Sequence, residues 1–437
     1  MVARTALIAA VCFVALASEP NERLKRFNEA KFGMFIHWGP YSLASVEASW
    51  PIMGVSRWGI SEADYRQLPN RFNPLKFDPT AWVRLAKAAG QRYIVFTSKH
   101  HDGFCMFDSA YTNYKITRTP YGKDIAAQLA EAAHKENIPL GFYYSPPDLN
   151  HPGFRDTSID SNKNWRGEPW RAEWSTYLDY MEMQLRELLT GYGDLFVVWF
   201  DGLSEQRKFD GYRFHKLIRE MQPQTLINNR VGLTGDYVTP EQRLPKAIPV
   251  KGAKVGNTDP NDSGLSAVAP TPDQFQPWET CMTINNTWAY NRNDRNFKST
   301  TELVRALIEA ASKGGNFLLN VGPTPDGEIQ PEFVERLEQI GAWLAKNGEA
   351  IYGTTFGPLQ QTPGLRSTAK GKTVYLHILD WPGAELSIDN LPGQVRRVRW
   401  LGGTATPTFK RAGAKLVIGL ATVKPDPHAT VLAIDMK

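Results

Sequence analysis

The run Leu195-Phe196-Val197-Val198-Trp199-Phe200 has no polar residue in six positions and leads straight into Asp201-Gly202. A strand so continuously apolar must be covered on both faces, which points to a parallel sheet under helices. Similar runs at residues 33–38, 93–98, 140–145, 225–229, 281–284 and 317–321 alternate with helical stripes. One stripe carries Trp82, Leu85, Ala86 and Ala89 behind Thr80 as its expected cap, and another carries Trp174, Tyr177, Met181, Leu185 and Leu188. Later stripes carry Leu303, Val304, Leu307 and Ile308, then Phe333, Leu337, Ile340 and Trp343. Apolar residues at this spacing are core faces. Strand–helix alternation sustained over roughly 300 residues predicts an α/β fold, a (β/α)8-like, TIM-type barrel. A doubly wound sheet competes, but it would carry a glycine-rich phosphate turn after its first strand, and none is present.

Past Tyr352 the helical period vanishes. Short strands at 374–379, 385–388, 395–400, 415–418 and 431–434, separated by Pro and Gly, predict a C-terminal antiparallel β-sandwich. Residues 231–277, rich in Gly, Pro and Asp without periodicity, read as a lid or binding loop. The N-terminus has Arg4, an apolar run from Ala6 to Leu16 and the small-x-small triplet Ala15-Leu16-Ala17. That is the pattern of a secretory signal peptide, so the chain is expected to be secreted or periplasmic. The expected organisation is a signal at 1–17, a catalytic barrel at 18–350 and a sandwich at 351–437. With Cys12 in the leader, only Cys105 and Cys281 remain, too few for a disulfide framework.

Fifty Lys and Arg against 45 Asp and Glu, spread without basic runs, give no support for a nucleic-acid partner. No stretch beyond the leader approaches the roughly 18 apolar residues of a membrane span. Of the 13 Trp, Trp82, Trp174 and Trp343 fall on the helix stripes and read as core, whereas Trp38, Trp50, Trp199 and Trp278 sit in or near the strand-end motifs and are the candidates for shaping a pocket.

Function in such a barrel collects at the C-terminal ends of the strands. Those ends read His37-Trp38-Gly39, His100-His101-Asp102, Tyr143-Tyr144-Ser145, Asp201-Gly202 and Asn228-Asn229-Arg230, with Trp278-Glu279 ahead of a further strand. Polar groups beside aromatic rings suit a sugar, which has an apolar C–H face and a rim of hydroxyls. Asp201 would point into the barrel mouth, although a lone strand-end Asp commonly caps the next turn. Glu279 is the natural second carboxylate, or else a partner for Arg230 or Arg292. Paired carboxylates cleave glycosidic bonds. His37, His100, His101 and Asp102 raise the alternative of a metal centre, but neutral histidines can hydrogen-bond hydroxyls without a metal, and no metal or other cofactor is expected.

Five motifs resemble the α-L-fucosidases of glycoside hydrolase family 29. They are Lys31-Phe32-Gly33-Met34-Phe35-Ile36-His37-Trp38-Gly39, Lys99-His100-His101-Asp102-Gly103-Phe104, Trp199-Phe200-Asp201-Gly202, Trp278-Glu279-Thr280-Cys281 and Asn320-Val321-Gly322-Pro323-Thr324-Pro325-Asp326-Gly327. The resemblance implies a retaining exo-glycosidase that releases terminal α-linked L-fucose from a fucosylated glycan. Asp201 would be the nucleophile and Glu279 the acid/base, with Asp236, Glu241, Asp259 and Asp273 as rivals. His37, Trp50, His100, His101, Tyr144, Trp199 and Arg230 would hold the sugar, and Phe35 or Trp288 would meet its methyl group. The chain departs from the family where many members have Glu-Trp and it has Ser49-Trp50, with Glu47 two places upstream. A retaining glycosidase for another hexose, or a non-catalytic sugar-binding protein on the same scaffold, are the competing expectations.

Overall fold

The computed structural model describes residues 20–54, 58–202, 206–254, 262–359 and 362–437. The expected leader at 1–17 and the rival carboxylate Asp259 lie outside these residues.

Seven parallel strands form the main sheet: β1 (Phe32–Ile36), β2 (Ile94–Lys99), β3 (Leu140–Tyr144), β4 (Val197–Phe200), β5 (Leu226–Ile227), β6 (Glu279–Thr283) and β7 (Asn316–Val321). Their order across the sheet is β5-β4-β3-β2-β1-β7-β6. The gap between β5 and β6 is crossed by residues 237–241, which make parallel bridges to both sides: Tyr237 to Asn228, Val238 to Trp278 and Glu241 to Cys281. That segment takes the eighth place of a (β/α)8-like barrel. It lies inside the stretch expected to be a lid, and its sequence, Tyr237-Val238-Thr239-Pro240-Glu241, hides a strand because Pro240 cannot donate to a ladder. The same stretch also holds a two-stranded hairpin, Ile248–Lys254 with Ser263–Ser266.

Strand side chains alternate between two cores. Phe35, Tyr93, Val95, Tyr143, Val197, Trp199, Tyr237, Cys281 and Leu318 pack together inside the barrel. Their neighbours Ile36, Ile94, Phe96, Phe142, Tyr144, Val198, Phe200 and Leu319 pack outward against the helices. Side-chain caps start several of those helices. The helix Pro79–Ala88 begins at Asp78, not Thr80: the Asp78 carboxylate accepts from the Ala81 amide at 3.0 Å, with Pro79 in the first turn. Ser299 and Glu302 form a capping box at the start of Thr300–Ser312. Among the described residues no helix is long and apolar enough to cross a membrane.

Beyond the barrel, a five-stranded and a three-stranded antiparallel sheet enclose a second core that includes Leu376, Ile388, Val398, Leu416, Ile418 and Leu432. This sandwich is tied to the barrel where Trp343 Nε1 donates to the Ala429 carbonyl at 3.0 Å and Arg366 pairs with Glu309 at 2.5 Å.

Candidate active site

Asp201 follows the last residue of β4 and so stands at the barrel mouth. Arg230 Nη1 lies 2.8 Å from its Oδ1. Tyr143 donates its phenol to Oδ2 at 2.9 Å, and His101 Nε2 is 3.4 Å from the same oxygen. Burial alone would raise the pKa of this carboxyl, but Arg230 and His101 overcome it and hold Asp201 well below the usual carboxylate range. The side chain keeps 19% exposure, enough to meet a ligand while remaining ionised.

Three histidines surround it with their tautomers set from behind. Asn320 donates its amide to the Trp288 carbonyl at 2.7 Å, so its oxygen accepts from His37 Nδ1 at 2.7 Å. Ser145 donates to the Pro147 carbonyl at 2.6 Å and so accepts from His101 Nδ1 at 2.7 Å. His100 Nδ1 is 2.5 Å from Ser49 Oγ. Burial lowers the His37 pKa to about 4 and puts His100 well below its ordinary value, so both are neutral. Ser49 therefore orients His100. Glu47 instead accepts the backbone amides of Ala48 at 2.7 Å and Trp288 at 2.9 Å.

The pocket's aromatic base is a stack. His100 lies over Tyr143 at 5.1 Å with rings 4° apart, and Tyr143 lies over Trp199 at 5.6 Å and 15°. The guanidinium of Arg230 sits 4.8 Å above the Trp199 ring. Trp50 tilts against His101 at 4.8 Å, while Trp288 meets His37 at 4.9 Å and Phe35 at 6.1 Å.

Two expected contacts are placed elsewhere. Tyr144 faces the helix layer, where its hydroxyl donates to Gln184 at 2.8 Å and Lys99 Nζ lies 4.3 Å from its ring. Its neighbour Tyr143 points inward, because adjacent strand residues face opposite ways. Glu279 opens β6 and pairs in register with Asn316, the first residue of β7. It is 1% exposed and lies beneath the pocket, where Trp199 Nε1 donates to one oxygen at 3.0 Å and Tyr93 to the other. Burial pushes its pKa up to about 7 against hydrogen bonds from Tyr93, Trp199 and Tyr237. Trp199 thus stands between Glu279 and the mouth. Trp38 and Trp278 are also core, donating to the carbonyls of Thr324 and Lys313.

The second carboxylate at the mouth is Glu241, at the end of the barrel-closing segment. Arg230 Nη1, already 2.8 Å from Asp201, is 2.9 Å from Glu241 Oε2. Thr239 fixes the guanidinium by accepting from Nε at 2.7 Å and from Nη2 at 3.0 Å. The rival Asp236 is bound to Arg23 at 2.9 Å and Arg219 at 2.6 Å, away from this cluster. Asp273 is on the hairpin side, tied to Thr271. His100, His101 and Asp201 converge closely enough to hold a metal ion. The cation already facing Asp201 is Arg230, whose charge opposes a second one there.

A sequence model described as Alpha-L-fucosidase matches residues 15–349. Tissue alpha-L-fucosidase of Homo sapiens is 30% identical over 391 residues, covering 82% of this chain and 75% of the human protein. Alpha-L-fucosidase of Branchiostoma floridae is 31% identical over 390 residues, covering 82% and 79%. Among solved structures, alpha-L-fucosidase isoenzyme 1 from Paenibacillus thiaminolyticus superposes with a TM-score of 0.84 at 36% identity, covering 96% of this chain and 99% of that one. The trapped covalent intermediate of an alpha-L-fucosidase from Bacteroides thetaiotaomicron gives a TM-score of 0.79 at 26% identity, covering 95% and 96%. With these matches over most of its length, the chain belongs to the α-L-fucosidase family of glycoside hydrolases.

Proposed function

We propose that this protein is a retaining exo-α-L-fucosidase acting on fucosylated glycans, with Asp201 as nucleophile and Glu241, in place of Glu279, as acid/base. The observation that carries the pairing is the single nitrogen of Arg230 shared by both carboxylates at 2.8 and 2.9 Å. Two oxygens so held cannot be farther apart than those distances laid end to end. That is the regime of a retaining pair, about 5–5.5 Å, and short of the roughly 6.5–9.5 Å an inverting enzyme needs for its water.

In the first step Asp201 attacks the anomeric carbon as Glu241 gives its proton to the departing glycosidic oxygen. The product is an ester between Asp201 and the sugar. In the second step Glu241, now a carboxylate, takes a proton from water, and the hydroxide oxygen displaces Asp201. Arg230 couples the two roles. In both steps the same guanidinium nitrogen holds the two carboxylates side by side. His37, His100, His101, Trp50, Trp199 and Arg230 surround the sugar in this reading, with Tyr143 in the place expected of Tyr144. Residues 1–17 support export as a signal peptide.

A panel of aryl glycosides tests the reaction. Hydrolysis of the α-L-fucoside, with α-L-fucose as first product by NMR, is expected; no turnover of that substrate, or β-L-fucose first, rejects it.

A further inference from the structure

Five buried indoles use their N–H groups in the fold: Trp38, Trp82, Trp199, Trp278 and Trp343 each donate one hydrogen bond. Trp50 and Trp165 differ. Both are half-buried, and neither donates within the described residues. They continue the aromatic contacts outward from the nucleophile. His101 reaches Asp201, Trp50 lies 4.8 Å from His101, and Trp165 meets Trp50 edge-on at 5.9 Å and 79°. Arg166 places its guanidinium 5.0 Å from the Trp165 ring.

The two segments that carry these indoles are fastened to each other. Ser161 Oγ donates to the Ile52 carbonyl at 3.2 Å, and Asn162 donates to the carbonyl of Met53. Arg155, fully buried, pairs with Glu62 at 2.6 Å and donates to Asn164 Oδ1 at 3.2 Å and the Ile159 carbonyl at 2.9 Å. Glu62 in turn accepts the Ser161 amide at 3.2 Å. Buried Arg155 thus fixes the segment 159–164 that leads into Trp165, so that the half-buried indole is carried on a preorganised support.

Resting on the fucosidase reading, we infer that Trp165 is the platform for the sugar unit to which fucose is attached, so that the enzyme selects a glycan aglycone by stacking. The occupant is a neutral hexopyranose. Its C–H face would lie on the indole, and the N–H of Trp165 and the guanidinium of Arg166 would meet its hydroxyls. Continuity with the catalytic pocket favours a carbohydrate over a peptide or lipid, because the bond being cut places the next sugar ring beside the one held at Asp201.

The test compares Trp165→Ala and Trp165→Phe with the wild type on two substrates. α-L-Fucosyl fluoride has no ring in its leaving group, and a fucosylated neutral trisaccharide does. The expected result is a fall of about tenfold in kcat/KM on the trisaccharide for Trp165→Ala, a smaller one for Trp165→Phe, and fucosyl fluoride within about twofold of wild type. Equal falls on both substrates would make Trp165 a prop for Trp50 and overturn the inference. An unchanged trisaccharide rate overturns it as well. A wild type inert toward fucosyl fluoride rejects the underlying fucosidase reading instead.

Discussion

Tyr143 donates its phenol to Asp201 Oδ2 at 2.9 Å while its ring is stacked between His100 and Trp199. The hydroxyl and the ring therefore do separable things: one favours the ionised nucleophile, the other fills the base of the pocket. Tyr143→Phe keeps the stack and removes the hydrogen bond. A hydrogen bond to a charged group is worth about 1.5–3 kcal/mol, so kcat/KM should fall on the order of 10- to 100-fold. Losing a donor to the anion raises the pKa of Asp201, so the acid limb of the pH–rate profile should move to higher pH. An unmoved acid limb would show that Tyr143 only packs.

Arg230 pairs with both mouth carboxylates, and its charge holds Asp201 ionised against the cost of burial. Arg230→Met would remove the cation that Asp201 and Glu241 share. Removing one partner of a buried ion pair costs roughly 3–5 kcal/mol, reduced here because both carboxylates keep some solvent contact. The variant should therefore be less stable, and the loss should shrink at acid pH, where protonation relieves the repulsion. Thermal unfolding at pH 4 and pH 7 checks the sign; a loss independent of pH would assign it to packing on Trp199.

The parallel sheet was legible from periodicity because two-sided burial leaves continuous apolar runs, and the missing glycine-rich phosphate turn favoured a barrel over a doubly wound sheet. Asp201 was legible for the same reason, as the polar residue that ends one of them. Tyr144 was misplaced by a single position: a motif names a strand end, but only the side on which Val197 and Trp199 pack decides that Tyr143 faces the pocket. Glu279 looked catalytic because it precedes a strand beside a Trp. Register with Asn316 puts it at the other end of that strand. Glu241 was visible only as one of several loop carboxylates, since the segment that lifts it to the mouth contains Pro240 and pairs through isolated bridges.

Glu279 should reveal itself in stability rather than in turnover. Burial raises its pKa from 4.5 to about 7 in the folded protein. The folded state thus holds this proton more tightly than the unfolded chain, so its contribution is fully present below pH 4.5 and is lost as pH rises through about 7. Glu279→Gln cannot ionise and escapes that loss. The difference in melting temperature between variant and wild type should shift in the variant's favour from pH 4.5 to pH 7.5, whatever its sign at the acid end. A constant difference over that range would mean that the carboxyl does not titrate there.

The two glutamates make opposite predictions for catalysis. Glu241→Ala should slow hydrolysis of a natural oligosaccharide by about 10²–10⁴-fold, the usual worth of a general acid. A dinitrophenyl α-L-fucoside needs no proton to leave, so its first step should be far less affected and the ester on Asp201 should accumulate. Azide, which needs no general base, should then speed release of that ester and give fucosyl azide of retained configuration. Glu279→Gln should leave the ratio of the two substrates unchanged, because a group below Trp199 cannot tell one leaving oxygen from another. If Glu279→Gln instead shows the leaving-group dependence and azide rescue, the acid/base is Glu279 and the pocket must open beneath Trp199 during turnover.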